Sequence, residues 1–179
     1  FWGVNFFKYA LILSLAIPPY IFGYSLSSFF ENYGTAYSLI NFFSPNIGNN
    51  LTLNLSAKTM TIISLSFSLF GYIYLLSLTT VNNQLGNYIE MSKTLRISKF
   101  RMIKTIIFPL TRPAIFIGIS LVAMETLSDF GTVSFFGIST LTTGIYNSWF
   151  IFDDIQTSNL LSIVLLSFIL CLFYVENKF

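Results

Sequence analysis

Apolar side chains along this chain come in long unbroken runs rather than in alternation. Runs such as ALILSLAI and LSIVLLSFILCLF carry no period of two, so they do not read as strands of a membrane barrel. Segments near Phe6 to Phe30, Leu55 to Thr80, Ala114 to Phe130 and Asn159 to Val175 reach or approach the ~20 residues a helix needs to cross a hydrocarbon core. The pattern predicts an all-α integral membrane protein, a helical bundle of about four transmembrane helices, with residues 1–179 forming a single transmembrane domain. The chain starts at Phe1 without a charged leader and a small-residue cleavage site, so it is read as a portion of a longer chain whose first span is mature structure.

Between the runs the chain turns polar. Residues 31–54, ENYGTAYSLINFFSPNIGNNLTLN, are rich in turn formers and are expected to form a connecting loop with one interfacial turn at Tyr37 to Phe43. Residues 131–158 hold Gly131, Gly137 and Gly144 among aromatics, which suits an irregular excursion along the membrane face with Tyr146 and Trp149 in the interfacial belt. Composition agrees: 54% of residues are hydrophobic and 9% charged, against about 25% charged in soluble domains.

Charge then gives orientation. The stretch from Glu90 to Pro113, EMSKTLRISKFRMIKTIIFPLTRP, holds six of the nine Lys and Arg residues. At the centre of spanning helices six such charges would cost on the order of 18 kcal/mol on insertion scales. By the positive-inside rule residues 81–112 form a cytoplasmic loop, which puts Lys8 and Lys178 inside and residues 31–54 and 131–158 outside. Only Lys58 is mildly contrary, and it lies near an outer end where it can snorkel.

Three features inside the spans invite a choice. Pro18-Pro19 interrupts the first, either as a broken helix lining a pathway or as a kink that neighbouring helices tolerate. Ser64, Ser68 and Gly71 form a small-residue stripe that suits close helix packing in the second. In the third, Ala114, Gly118, Glu125 and Asp129 fall within about 60° of one another on a helix. The two carboxylates either line a solute path or are hydrated acids beyond a helix end near Leu127. Cys171, alone within an apolar run, excludes an internal disulfide framework and is expected to be a buried small hydrophobe.

The basic loop has internal order. Leu85, Tyr88, Ser92 and Leu95 share one face of a first short helix, with Glu90, Lys93 and Arg96 opposite. A second begins after Ser98, a good N-cap, with Phe100, Ile103 and Ile107 opposite Arg101 and Lys104. Pro109 and Pro113 are expected to end this helix-turn-helix before the third span. Taken as pattern alone, such a segment also suits a simple anchor on anionic lipid.

The order of residues resembles the cytoplasmic EAA loop of type I ABC importer permeases, in which a glutamate and two alanines precede a glycine and a leucine-proline follows. The family's glutamate falls on Glu90 and its proline on Pro109; Met91 and Ser92 stand for the alanines and Arg96 for the glycine. Arg96 departs from a turn that a left-handed glycine would make easily. LAIPPYIFGYSLSSFF from Leu15, METLSDFGTVSFFG from Met124 and LTTGIYNSWF from Leu141 are similar to the ferric-iron transport subgroup, whose permeases usually carry two homologous halves. In the second span Gly71 stands where that subgroup usually has a proline.

The resemblance implies a bacterial inner-membrane, multi-pass permease that pairs with a second permease half or copy. It also implies a cytoplasmic ATP-binding subunit dimer and an extracytoplasmic substrate-binding protein as partners, with membrane lipid around them. Glu90, Ser92, Leu95, Arg96, Ser98, Lys99, Phe100, Arg101 and Pro109 would form the ATPase-coupling site, and Pro18, Pro19, Glu125 and Asp129 the candidate translocation path. Related permeases carry polyamines, thiamine, sulfate or molybdate, and a structural membrane subunit is the non-transport alternative. An enzyme is disfavoured, because the chain has no His for the commonest general base, haem or most zinc sites. It also lacks a Gly-rich phosphate loop, so ATP is expected on the partner subunit alone. No cofactor, resident metal or nucleic acid is expected.

Overall fold

The computed structural model describes residues 3–31, 34–43, 56–84, 86–95 and 98–176, and every regular element among them is helical. The α-helices are α1 (Val4–Ile12), α2 (Pro19–Phe30), α3 (Thr35–Phe43), α4 (Ala57–Gln84), α5 (Gly86–Thr94) and α6 (Lys99–Met102), followed by α7 (Phe108–Ser128), α8 (Gly131–Phe135), α9 (Leu141–Tyr146) and α10 (Ile155–Glu176). Among the described residues, Ala57–Asn83, Lys99–Ser128 and Ile155–Val175 are long and apolar enough to cross a membrane. A fourth crossing exists if the broken pair Phe6–Ala16 and Pro19–Phe43 counts as one span. The expected all-α membrane protein is what the chain forms.

Pro18-Pro19 breaks the first span outright. After α1 the chain tightens into a 3₁₀ turn over Leu13–Ala16, and Pro18 is extended at φ −55° and ψ 138° before Pro19 opens α2. A residue ahead of proline is pushed out of the helical region, and a proline in the first turn has no amide to lose. The break frees the carbonyl of Ile17, which accepts a 2.7 Å hydrogen bond from the Ser68 hydroxyl. That bond answers a backbone group which hydrocarbon could not satisfy.

The expectation for Pro109 and Pro113 is corrected. Neither stops the helix; both lie on α7, which follows α6 through a π turn at Ile103–Ile107, so the chain is helical without interruption over Lys99–Ser128. The π turn closes with the Phe108 amide donating to the Ile103 carbonyl, directly before Pro109. The wide turn shifts the carbonyls ahead of Pro109 out of the α ladder, which reduces what its missing amide costs.

The chain divides into two compact units, one of Phe1–Leu15, Leu69–Leu127 and Leu166–Phe179, the other of Ala16–Ser68 and Ser128–Leu165. In the first unit the meeting points are small residues. A Cβ on Gly118 would stand 2.8 Å from the Ile73 Cα, and one on Gly71 would stand 2.7 Å from Leu15 Cγ and Ser14 Oγ. Thr111, Ala114 and Gly118 are the buried residues of α7, so the predicted small-residue face of the third span is a packing face here.

In the second unit a Cβ on Gly23 of α2 would lie 2.9 Å from the Phe136 ring and 3.2 Å from Ser64 Oγ of α4, while the Phe22 and Phe67 rings stack at 5.2 Å. The stripe expected on the second span is buried accordingly, with Ser64 and Ser68 almost wholly covered. Ser64 donates to the Met60 carbonyl of its own helix, and among the described residues no buried side-chain polar atom lacks a partner.

The interior is thus rich in small polar residues beside Met60, Leu65, Leu69 and Val133, where the outside is large and apolar. Ser64, Ser92, Thr111, Thr132, Ser148 and Ser158 are buried, while Phe67, Phe116, Leu160, Phe168 and Phe173 are exposed. Water would not tolerate that distribution, but lipid makes close backbone approach and interhelical hydrogen bonds the main sources of packing. Cys171 is likewise corrected: it is exposed on α10, a helix that is apolar all round and almost uncovered within the chain.

Candidate functional site

The basic loop holds the expected first short helix, α5, whereas the second, α6, is the opening turn of the continuous helix Lys99–Ser128 rather than a separate short one. Arg96, with the turn around it, and Leu85 lie outside the described residues, as does the side chain of Glu90 on α5. Ser92 has 1% of its surface exposed and donates to Met102 Sδ at 2.7 Å, which ties α5 to the end of α6. Ser98 stands at the N-cap of α6 in extended conformation, but its hydroxyl makes no cap bond; the Met102 amide bonds to its carbonyl instead. The cap position is as the sequence implies, and the side-chain role is not.

Around this clamp the loop exposes apolar side chains. Phe100 is 78% exposed, Leu95 69% and Met91 62%, with Tyr88 and Ile103 also open. Lys99 and Arg101 flank Phe100 and are exposed, as is Pro109 on α7. An exposed aromatic ring between two cations is a candidate contact surface. Met102 leaves no signal in the sequence, because the Ser92–Met102 contact spans a turn and has no local period.

Glu125 and Asp129 fall in different units and take different roles. Glu125 is exposed on α7, three residues before that helix ends at Ser128. Asp129 lies just past the end, and its Oδ1 accepts from the amides of Thr132 at 3.0 Å and Val133 at 3.2 Å. Its Oδ2 accepts from the Thr132 hydroxyl at 3.0 Å, and its carbonyl accepts from the Thr142 hydroxyl at 2.8 Å. The carboxylate therefore caps α8 and sets the fold of the residues after the third span. Pro18 and Pro19 lie in the same unit, where a Cβ on Gly131 would be 3.4 Å from Tyr20 Cβ.

What the sequence reading took as an irregular excursion at residues 131–158 is a folded segment of short capped helices. Thr140 and Thr143 form a reciprocal capping box on α9, and Asp154 caps α10 through the Thr157 amide and hydroxyl. Those bonds, the hydroxyl first, hold the Asp154 carboxyl below its ordinary value of 3.8. Asp129-x-x-Thr132, Thr140-x-x-Thr143 and Asp154-x-x-Thr157 share one spacing, which announces helix starts. That repeat was the available signal for Thr132 and Thr157. Tyr146 and Trp149 are exposed, and Phe130, Tyr146, Phe150 and Trp149 form a ladder of rings 4.6 to 5.0 Å apart.

No curated protein matches the chain. The family model for binding-protein-dependent transport system inner membrane components matches residues 1–176. A transport subunit accounts for what the fold contains: apolar helices long enough to cross a membrane, an interior rich in small polar residues, and a basic loop whose second helix runs directly into a span. The chain belongs to the family of binding-protein-dependent transport system inner membrane components, the type I permeases of ABC import systems.

Proposed function

We propose that this permease serves an ATP-driven importer of ferric iron in the bacterial inner membrane, with residues 81–112 as its cytoplasmic coupling loop. The observation that carries the coupling assignment is Phe100: it is 78% exposed and sits on a helix continuous with the span that ends at Ser128. A groove on a cytoplasmic ATP-binding subunit would take Phe100 and Leu95, with Lys99 and Arg101 at the rim, Ser98 and Arg96 at the turn, and Glu90 at the base. Ser92 acts from inside by holding α5 on α6. Closure of the ATPase dimer then pushes on a rigid lever rather than on a loose loop, and Pro109 leaves that lever unbroken.

Substrate arrives from an extracytoplasmic binding protein and crosses between this chain and a second permease half or copy. Pro18, Pro19 and Glu125 are the candidate path residues, while Asp129, first grouped with them, serves as the cap of α8. Ferric iron is favoured by the segments from Leu15, Met124 and Leu141; polyamine, thiamine, sulfate or molybdate are the alternatives. Uptake of labelled ferric iron by cells with and without the intact transporter decides the cargo, and undiminished uptake without it rejects iron.

Coupling is tested by replacing Glu90 with Gln and Phe100 with Ala. Both variants are expected to insert normally and lose uptake; full uptake in both would sink the assignment. A lipid-anchoring structural subunit would instead recover no ATPase in mild detergent.

A further inference from the structure

On α7, Phe108, Arg112, Ile115 and Phe116 line a recess of about 460 Å³. Their spacing of four, seven and eight residues from Phe108 puts them on one side of the helix. The Arg112 guanidinium lies 5.4 Å from the centre of the Phe108 ring. Among the described residues it forms no ion pair, so its charge is held by an aromatic face and left without an anion. Arg112 is also the last basic residue before the apolar run from Ala114, whereas Ile115 and Phe116 already belong to that run.

We propose that this recess is a binding site for an anionic phospholipid. Arg112 binds the headgroup phosphate and the side chains of Ile115 and Phe116 receive the start of an acyl chain. Charge complementarity selects the occupant: a guanidinium takes a phosphate oxygen pair well, and its place at the start of a span matches headgroup depth. The apolar wall beside it distinguishes a lipid from a soluble phosphate. A zwitterionic lipid would bring its own cation against Arg112 and bind less well. The site is separate from Phe100 and concerns the membrane rather than the ATPase.

The test is native mass spectrometry of the full-length permease with phosphatidylglycerol or phosphatidylcholine added at equal concentration. The permease should retain phosphatidylglycerol in preference, and Arg112→Gln should lower that preference about fivefold, the contribution of one basic residue at an anionic surface. Lys104→Gln, which alters the same basic segment outside the recess, should leave the preference within error. Millimolar inorganic phosphate should not displace the lipid. The assignment is overturned if both lipids are retained equally, if Lys104→Gln matches Arg112→Gln, or if free phosphate competes. Unchanged preference in a folded Arg112→Gln protein, judged by an unaltered thermal transition, likewise rejects it.

Discussion

Replacing Asp129 separates a capping acid from a path-lining one. In Asp129→Ala the amides of Thr132 and Val133 lose their acceptor, as does the Thr132 hydroxyl, whose residue is 0% exposed. Loss of a helix cap costs about 0.5–2 kcal/mol, and a buried hydroxyl left unsatisfied costs about 1–3 kcal/mol. The two effects share Thr132 and are not fully additive, so the expected loss is about 2–4 kcal/mol. Asp129→Asn keeps an oxygen for both amides and offers its NH₂ to the Thr132 hydroxyl, which can turn to accept; its cost should be about 1 kcal/mol or less. Thermal unfolding of the purified permease in detergent, read by tryptophan fluorescence, should rank wild type, Asn and Ala in that order. Amide exchange at Thr132 and Val133 should rise sharply only in Ala. Transport adds the second arm: a cap survives neutralisation, so Asp129→Asn should retain uptake, whereas a path residue that works by its charge should lose uptake with the fold intact. Equal melting of the Asn and Ala variants, or an Ala variant that melts like wild type, would refute the capping argument.

Phe100→Ala should weaken docking of the ATP-binding subunit. A Phe contributes roughly 150–250 Å²; with 78% of it exposed beforehand, at ~25 cal/mol per Å² and allowing for the Cβ that Ala keeps, the loss is about 2–3 kcal/mol. Titration of the subunit onto permease in nanodiscs should then show a thirtyfold or greater rise in Kd, as roughly 1.4 kcal/mol is tenfold; an unchanged Kd contradicts it. Gly118→Ala puts a Cβ 2.8 Å from the Ile73 Cα, where only backbone movement relieves the clash, and should cost about 1–3 kcal/mol in thermal stability. Asp154, whose carboxyl is held below 3.8 by Thr157, stabilises the start of α10 above that pH and loses this as pH falls through the lowered value. The protection factor of the Thr157 amide, its exchange rate corrected for the intrinsic slowing in acid, should therefore fall with pH in the wild type, and Asp154→Ala should flatten that dependence.

Much of the architecture was legible because hydrocarbon allows so few solutions. Unbroken apolar runs located three long helices, though the third starts at Lys99 rather than near Ala114, and Ser64 and Ser68 of the small-residue stripe are buried as their spacing demands. The prolines show where local rules reach their limit. Pro18-Pro19 breaks a helix because two consecutive residues are held out of the helical region and Ser68, far along the chain, caps the freed carbonyl. Pro109 does not break one because a π turn precedes it, and no rule of composition predicts a π turn from IKTII. The depth of Glu125 and Asp129 was equally hidden. It depended on whether the helix stopped before or after Asp129, and the Asp-x-x-Thr spacing that fixes the stop is a capping signal rather than a hydropathy signal.

The same chemistry bears on how such a permease can move. Gly118 lets the Ile73 backbone come close and Gly71 receives the Leu15 and Ser14 side chains, while hydroxyls such as Ser64 and Thr111 bond to carbonyls one turn back in the chain. The Ser68–Ile17 bond is of another kind: it crosses from one helix to the broken segment of another and has no substitute in lipid. If the first span is rearranged during transport, that bond is the contact that resists it. Ser68→Ala, which leaves the Ile17 carbonyl unanswered, should therefore lower the stability of the resting fold by about 1–3 kcal/mol. Amide exchange in the first turn of α2 should rise with it, while exchange in α5 and α6 stays unchanged. Equal acceleration in both places would mean that the serine holds the whole fold and not the break.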